Sequence, residues 1–439
     1  MVEAVGRLTL AVQPPCGYPL ELLHEEARPA AAKMGRAQER HRTAEHRCAP
    51  LGTWPRQSAG VVRGGFRLGV DFGTSHTVAA LTDPDGQTRP LLFDGSPLLA
   101  SAVAVGPGSE FLVGADALRV AVGDPAALEP NPKRRIDEHT VWLAGRECPV
   151  TDLVAVVLQR VAVEASRVTG SAVSEVVLTH PAQWGRQRIG LLTDAAARAG
   201  WSEPGLVAEP VAAAAYFSAV RGRLPEAGRF AVVYDLGAGT FDVSVVRPCD
   251  GGFDVVATAG LPDVGGLDLD AVAVRHARQL TGPDDAAWRR LEHPRDPGDR
   301  QARQSLWQAA RAVKEQLSRH SAADLYLPIV DRVVRLTREE FEQAERPDLE
   351  RTVALTVRVL ADAGVPTSAV DGLFLVGGGS RVPLVATLLH RAVGVTPTVV
   401  EAPELVVAEG ALPLPWWSSC SGSLSCSPSC VHGSRPPVR

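Results

Sequence analysis

Apolar residues along this chain fall into short blocks, and several blocks run straight into a glycine turn. Phe66–Phe72 reads as a buried strand entering such a turn. Thr77–Leu81 returns as a second strand, closed by the hairpin signal Asp83-Pro84-Asp85-Gly86. From Val150 to Val168 apolar positions recur at helical spacing. Glu175–Thr179 has the length of a short buried strand, Arg186–Ala199 reads as a helix stopped by Gly200, and Pro210–Val220 as a helix of small residues.

The opening pattern then recurs. Arg229–Tyr234 is an apolar strand, a glycine turn follows, and Phe241–Val246 returns as a strand, with Asp250-Gly251-Gly252 turning into Phe253–Ala257. The matched units Val70-Asp71-Phe72-Gly73-Thr74 and Tyr234-Asp235-Leu236-Gly237-Ala238-Gly239-Thr240 lie about 165 residues apart. That is one domain length and suggests an internal duplication. Residues 284–345 read as an insertion: helix around Arg300–Ser318, two strands within Leu325–Leu336, then a helix capped by Thr337 with Glu340 three positions on. A third glycine turn, Gly377-Gly378-Gly379, follows a buried strand and precedes a helix.

This pattern predicts a first lobe over 65–228 and a second over 229–416. Weak periodicity makes 1–64 a disordered extension, and Ser, Cys, Pro and Gly make 417–439 a disordered tail. The chain has 439 residues, 45% apolar and 22% charged, the balance of a globular protein. A net charge of −5 supplies no basic field for nucleic acid, and no apolar window of membrane length occurs, so neither is an expected partner. Seven scattered cysteines form no disulfide framework or zinc pattern, and no clean signal peptide is visible, so a reducing, cytoplasmic setting is expected.

The turns carry the candidate chemistry. Glycine lets the backbone bend sharply and bring N–H groups against phosphate oxygens. An Asp at the strand end repels phosphate unless a cation such as Mg²⁺ stands between them. Two such turns facing each other would grip a polyphosphate, with Thr74, Ser75 and Thr240 adding hydroxyls; the third turn, at a helix N-terminus, suits a nucleoside and its α-phosphate. No GxGxxG unit follows the first strand and no GxxxxGK[ST] loop is present, which argues against the dinucleotide and P-loop sites.

Asp71–Thr74, Val233–Val246, Glu209-Pro210-Val211-Ala212-Ala213-Ala214 and Phe374–Pro383 resemble the signature segments of the heat-shock protein 70 chaperone family, over about residues 66–416. The resemblance implies an α/β, two-lobed actin-like ATPase fold of duplicated ribonuclease H-like lobes, with an α+β insertion in the second. It implies ATP/ADP and Mg²⁺ as cofactors and slow hydrolysis. Carried over, Asp71 and Asp235 hold the Mg²⁺ shell, while Gly73, Thr74, Ser75, Gly237, Gly239 and Thr240 contact phosphates. Lys133 is the catalytic lysine, and Glu209 and Asp242 order the waters. Pro181 couples nucleotide state to the following linker, Lys314 and Ser318 contact adenosine, and Gly378, Gly379 and Arg381 form the adenosine loop. J-domain and nucleotide-exchange co-chaperones are the implied partners.

Each position also has a plainer reading. Lys133 lies in a basic run of the kind that usually faces solvent, the two Asp residues are good turn formers, and Glu209 suits a helix N-terminus. Arg311 stands where the family often has a Glu. After Gly410-Ala411 the family continues into a peptide-binding domain, whereas here only Leu412–Trp417 and the tail follow, so no substrate domain is expected and a separate client-binding partner would be needed. The competing reading is a slow or inactive ATP-binding switch or scaffold. An actin-like filament or sugar-kinase relative fits less well, because of Glu209-Pro210 and Asp235–Val246.

Overall fold

The computed structural model describes residues 65–412 except 227, 250–251 and 283–285. Segments 1–64 and 417–439, two residues of the expected 250–252 turn, and Cys16, Cys48, Cys420, Cys426 and Cys430 lie outside the described residues.

Two sheets dominate. In the first, the strand order is Gly205–Ala208, Glu175–His180, Arg67–Phe72, His76–Thr82, Thr88–Pro90, with Leu99–Ala100 also pairing with His76–Thr82. Arg67–Phe72 runs antiparallel to His76–Thr82 and parallel to Glu175–His180. A parallel neighbour needs a crossover, and the helix Val150–Thr169 lies in it; Leu153, Val154, Val157, Leu158 and Val161 form its buried face. In the second sheet the order is Gly252–Leu261, Phe241–Cys249, Phe230–Leu236, Val370–Val376. Phe230–Leu236 is likewise antiparallel to the strand that follows it and parallel to the one that returns. The two hairpins agree in register as well: Asp71 and Asp235 are each the penultimate residue of the leading strand, opposite Val78 and Asp242.

The span 284–345, expected as an insertion, contains helices Ala286–Glu292 and Pro297–Leu317 and the paired strands Ala322–Leu327 and Arg332–Thr337, and helix Arg338–Asp362 starts in it and runs beyond. The Thr337–Glu340 capping box is present in both directions. Between residues 87 and 149 the hydrophobic pattern assigns no element. The structure builds two small sheets there, Val103–Val105 with Phe111–Val113 and Leu128–Glu129, and Thr140–Leu143 with Arg146–Pro149. Strands of two to four residues are too short to show a period.

A wedge joins the two sheets. Helix Glu209–Arg221 buries Ala212, Ala213 and Ala214 completely. Small residues there admit the late helix Val406–Gly410, so close that a Cβ on Gly410 would stand 2.0 Å from the Ala212 carbonyl oxygen. Farther along the same helix, the Phe217 ring stacks on Phe374 of the second sheet at 4.5 Å. The wedge fixes its own first residue, Glu209, beside Asp235 and Asp242.

Candidate functional site

A cleft of about 630 Å³ opens where the two hairpin turns end, a size suited to a small-molecule ligand. Asp71 and Asp235 stand on its floor, with Lys133, Glu209 and Asp242 around them. Lys133 Nζ donates to Glu209 Oε1 at 2.8 Å and lies 5.5 Å from the centre of the Trp184 ring. Thr179 Oγ1 donates to Asp71 Oδ1 at 3.0 Å. Asp242 accepts from Gln183 Nε2 at 3.0 Å and from Thr240 Oγ1 at 3.3 Å. Behind Asp235 a cavity of about 10 Å³, walled in part by Pro181, Glu209 and Asp242, has room for about one water.

Four carboxylates share one lysine, and their titration shows the imbalance. Burial, then the Glu209 charge, raises Asp71 to about 6 and Asp242 to about 6. Burial raises Asp235 well above its ordinary value, with Glu209, Asp242 and Asp71 adding to it. Burial acts downward on Lys133, but Glu209 and Asp71 outweigh it and raise its pKa. Asp235 and Asp242 also face each other directly across the hairpin, a placement of like charges that destabilises a sheet unless a cation relieves it. An all-carboxylate oxygen set of this kind fits a hard divalent cation. Among the described residues no three acidic, His or Cys side chains converge into a cage, so the fit is to a hydrated ion that also takes oxygens from its ligand.

The two turns carry N–H groups of the kind that suit an anion. The Gly73 carbonyl accepts from Ser101 Oγ at 2.9 Å and the Ser75 carbonyl from the Ser101 N–H at 2.9 Å. A Cβ on Gly73 would sit 2.2 Å from the His76 carbonyl oxygen, so only glycine closes this turn. Among the described residues the N–H groups of Thr74, Ser75, Ala238, Gly239 and Thr240 donate to no protein acceptor. Gly237 donates its N–H to the Thr240 carbonyl at 3.0 Å and so tightens the second turn. Gly239 itself does not line the cleft: the Arg134 guanidinium covers it.

At the far end the cleft meets Ser318, whose hydroxyl donates to the Lys314 carbonyl at 3.2 Å, and Lys314 itself. Lys314 pairs with Asp270 at 2.7 Å and donates to the Gly266 carbonyl at 2.8 Å, tying two helices together. Gly378 and Gly379 line the opposite wall. The expectation that this third turn opens an α-helix is corrected: a single 3₁₀ turn, Gly378–Arg381, intervenes, and the α-helix starts at Pro383. Arg381 also lines the cleft, where its Nη2 donates to both carboxylate oxygens of Glu404 at 2.9 Å. Arg311 lines the cleft too, with its Nε 3.0 Å from Glu315 Oε1.

Sequence reasoning missed His76, Asp270 and Arg134. Burial, then the Arg311 charge, lowers His76 to about 4, so a neutral imidazole faces the cleft. Asp270 lies four residues past the glycine pair Gly265-Gly266, a turn signal that by itself gives an acidic residue no role. Arg134 had none, because one residue of a basic run looks like any other. No helix among the described residues is long and apolar enough to cross a membrane.

The model of a family described as Hsp70 protein matches residues 129–413. The match takes in Lys133, Glu209, the second and third glycine turns and the insertion. It begins after the first glycine turn, so the pairing of Asp71 with Asp235 rests on the geometry above.

Proposed function

The chain belongs to the Hsp70 family, and on that premise we propose that it binds ATP between two lobes of an actin-like fold and hydrolyses it slowly. The observation that carries this reading is that Thr74 and Ser75 of the first turn and Ala238 and Thr240 of the second line one cleft with Asp71 and Asp235, and that their N–H groups donate to no protein acceptor among the described residues. The repeated hairpin-and-parallel-strand pattern of the two sheets supports duplicated lobes, 65–228 and 229–416.

The reaction is transfer of the γ-phosphoryl group to water, which needs positioning and charge stabilisation more than covalent chemistry. The free amides hold the phosphate oxygens, as backbone dipoles aimed at fixed charge. Lys133 presents a cation that the surrounding carboxylates keep protonated. Glu209 and Asp242 accept hydrogen bonds from the attacking water and so orient it. Asp71 and Asp235 would hold Mg²⁺, which supplies neutralisation of the phosphate charge when bound. Lys314, Ser318, Gly378, Gly379 and Arg381 would flank the nucleoside. J-domain and nucleotide-exchange partners, and a client-binding partner, belong to the same reading. A nucleotide switch with little turnover is the second reading, favoured by the Lys133–Glu209 ion pair, which gives the lysine a partner within the protein.

Phosphate release from MgATP by the whole chain, with and without Lys133→Ala, tests the proposal. Slow release that the substitution abolishes is expected. ATP bound tightly with no release from the unmutated chain defeats the hydrolytic reading and leaves the switch.

A further inference from the structure

The second glycine turn is anchored from outside on three successive carbonyls. Gly237 O accepts from the Gly266 N–H at 2.9 Å, and Ala238 O from the Leu267 N–H at 2.8 Å. Both donors open the helix Gly266–Thr281, in the same half of the chain. Gly239 O accepts from Arg134 Nη2 at 2.7 Å, a donor 105 residues earlier in the sequence.

A peptide unit is planar, and its C=O and N–H point in opposite directions. Whatever holds the carbonyls of 237, 238 and 239 on one side therefore aims the N–H groups of 238, 239 and 240 to the other, and Ala238 and Thr240 line the cleft there. Two of the three anchors are intrinsic to the second half. The third arrives from the first half, on the short 3₁₀ turn Pro132–Arg135 that also carries Lys133. The guanidinium lies against the loop: a Cβ on Gly239 would meet its Nη2 at 2.8 Å and its Nε at 2.9 Å.

We propose that Arg134 is a positioning residue that completes the second phosphate cradle only when the two halves of the chain are closed on each other. It does not touch substrate; it sets the Gly239–Thr240 peptide so that the Thr240 N–H faces the phosphates. Closure thus delivers Lys133 and the last cradle donor in one movement. This deepens the hydrolytic reading and rests on it.

The test uses the full-length chain with Arg134→Ala, Arg134→Lys and Gly239→Ala. Single-turnover hydrolysis of MgATP is expected to fall about tenfold in R134A, with the ATP dissociation constant changed by less than about threefold. Lysine retains a donor and is expected to recover part of the rate. Gly239→Ala displaces the guanidinium and is expected to match R134A, the double substitution costing no more than either alone. In the MgADP-loaded protein, the Thr240 amide is expected to exchange faster in R134A than in the unmutated chain, with Ala238 unchanged. A wild-type rate in R134A, a loss of affinity as large as the loss of rate, or unchanged exchange at Thr240 overturns the proposal. If the unmutated chain binds nucleotide without turnover, the hydrolytic reading fails and the exchange at Thr240 alone decides the role of Arg134. A chain that binds no nucleotide defeats both.

Discussion

Lys133 and Glu209 meet at 2.8 Å, side chain to side chain, one from the short turn Pro132–Arg135 and the other from the start of helix Glu209–Arg221, and both are largely shielded from water. Their union holds Lys133 among four carboxylates, those of Asp71, Asp235, Asp242 and Glu209 itself. Glu209 also raises the pKa of Asp71, Asp235 and Asp242. Replacing it with Gln keeps the shape and removes that charge. Phosphate release is expected to fall about tenfold, because the charged acceptor for the water becomes a weaker neutral one. ATP affinity should hold or rise, since less negative charge faces the phosphates. Faster release in E209Q would show that the pair restrains Lys133.

Lys314 and Asp270 form a second shielded pair, 2.7 Å apart. Removing one partner leaves the other buried without compensation. Lys314→Met is expected to cost about 3–5 kcal/mol of stability, read by denaturant titration, and to weaken ATP binding. Pairing it with Asp270→Leu should recover most of the stability but not the binding. Binding restored along with stability would remove Lys314 from the nucleotide site.

Gly410 tests the wedge. A Cβ there collides with a backbone oxygen, Ala212 O, rather than with a side chain that can turn aside. Gly410→Ala should destabilise by about 1–3 kcal/mol through overpacking. Because the wedge helix begins at Glu209, release of phosphate should fall with it. Unchanged stability would show that the late helix is not held tightly against the wedge.

Glu345 sits fully buried on the long helix Arg338–Asp362, and neither of its carboxylate oxygens has a hydrogen-bond partner. Burial, then the neighbouring Glu342 charge, raises it to about 8 from its ordinary value of 4.5. A carboxyl raised in the folded state contributes stability below its unfolded pKa and loses that contribution as pH climbs through the folded one. Stability due to Glu345 is thus present near pH 4.5 and lost by about pH 8. Glu345→Gln should leave the melting temperature near pH 5 little changed and raise it near pH 8, by about 2–4 °C for each kcal/mol recovered. Equal effects at both pH values would show that Glu345 titrates normally.

The central strands, the helices Val150–Thr169 and Arg186–Arg198, the capping box at Thr337 and the repeated Asp-Gly turns are legible in the chain itself, whereas the helix Gly266–Thr281 is not assigned by its pattern. Their signals are local, a period of apolar residues or a turn residue at a set offset, and neighbours in sequence suffice to create them. The span 87–149 was not legible, since its strands are too short for a period. The pairing of Asp235 with Asp242 follows from the hairpin register, yet Asp71 is raised by its burial in the assembled cleft and then by Glu209, 138 positions away, which a helix wedged between two sheets carries in. Lys133 and Arg134 show the division most sharply. As adjacent members of a basic run they are indistinguishable, and a one-turn helix sends one to a carboxylate and the other to a carbonyl of the second glycine turn. Sequence determined which groups were available and what each short segment would form. Tertiary structure alone decided which of them face each other, because long-range packing, not local propensity, closes those distances.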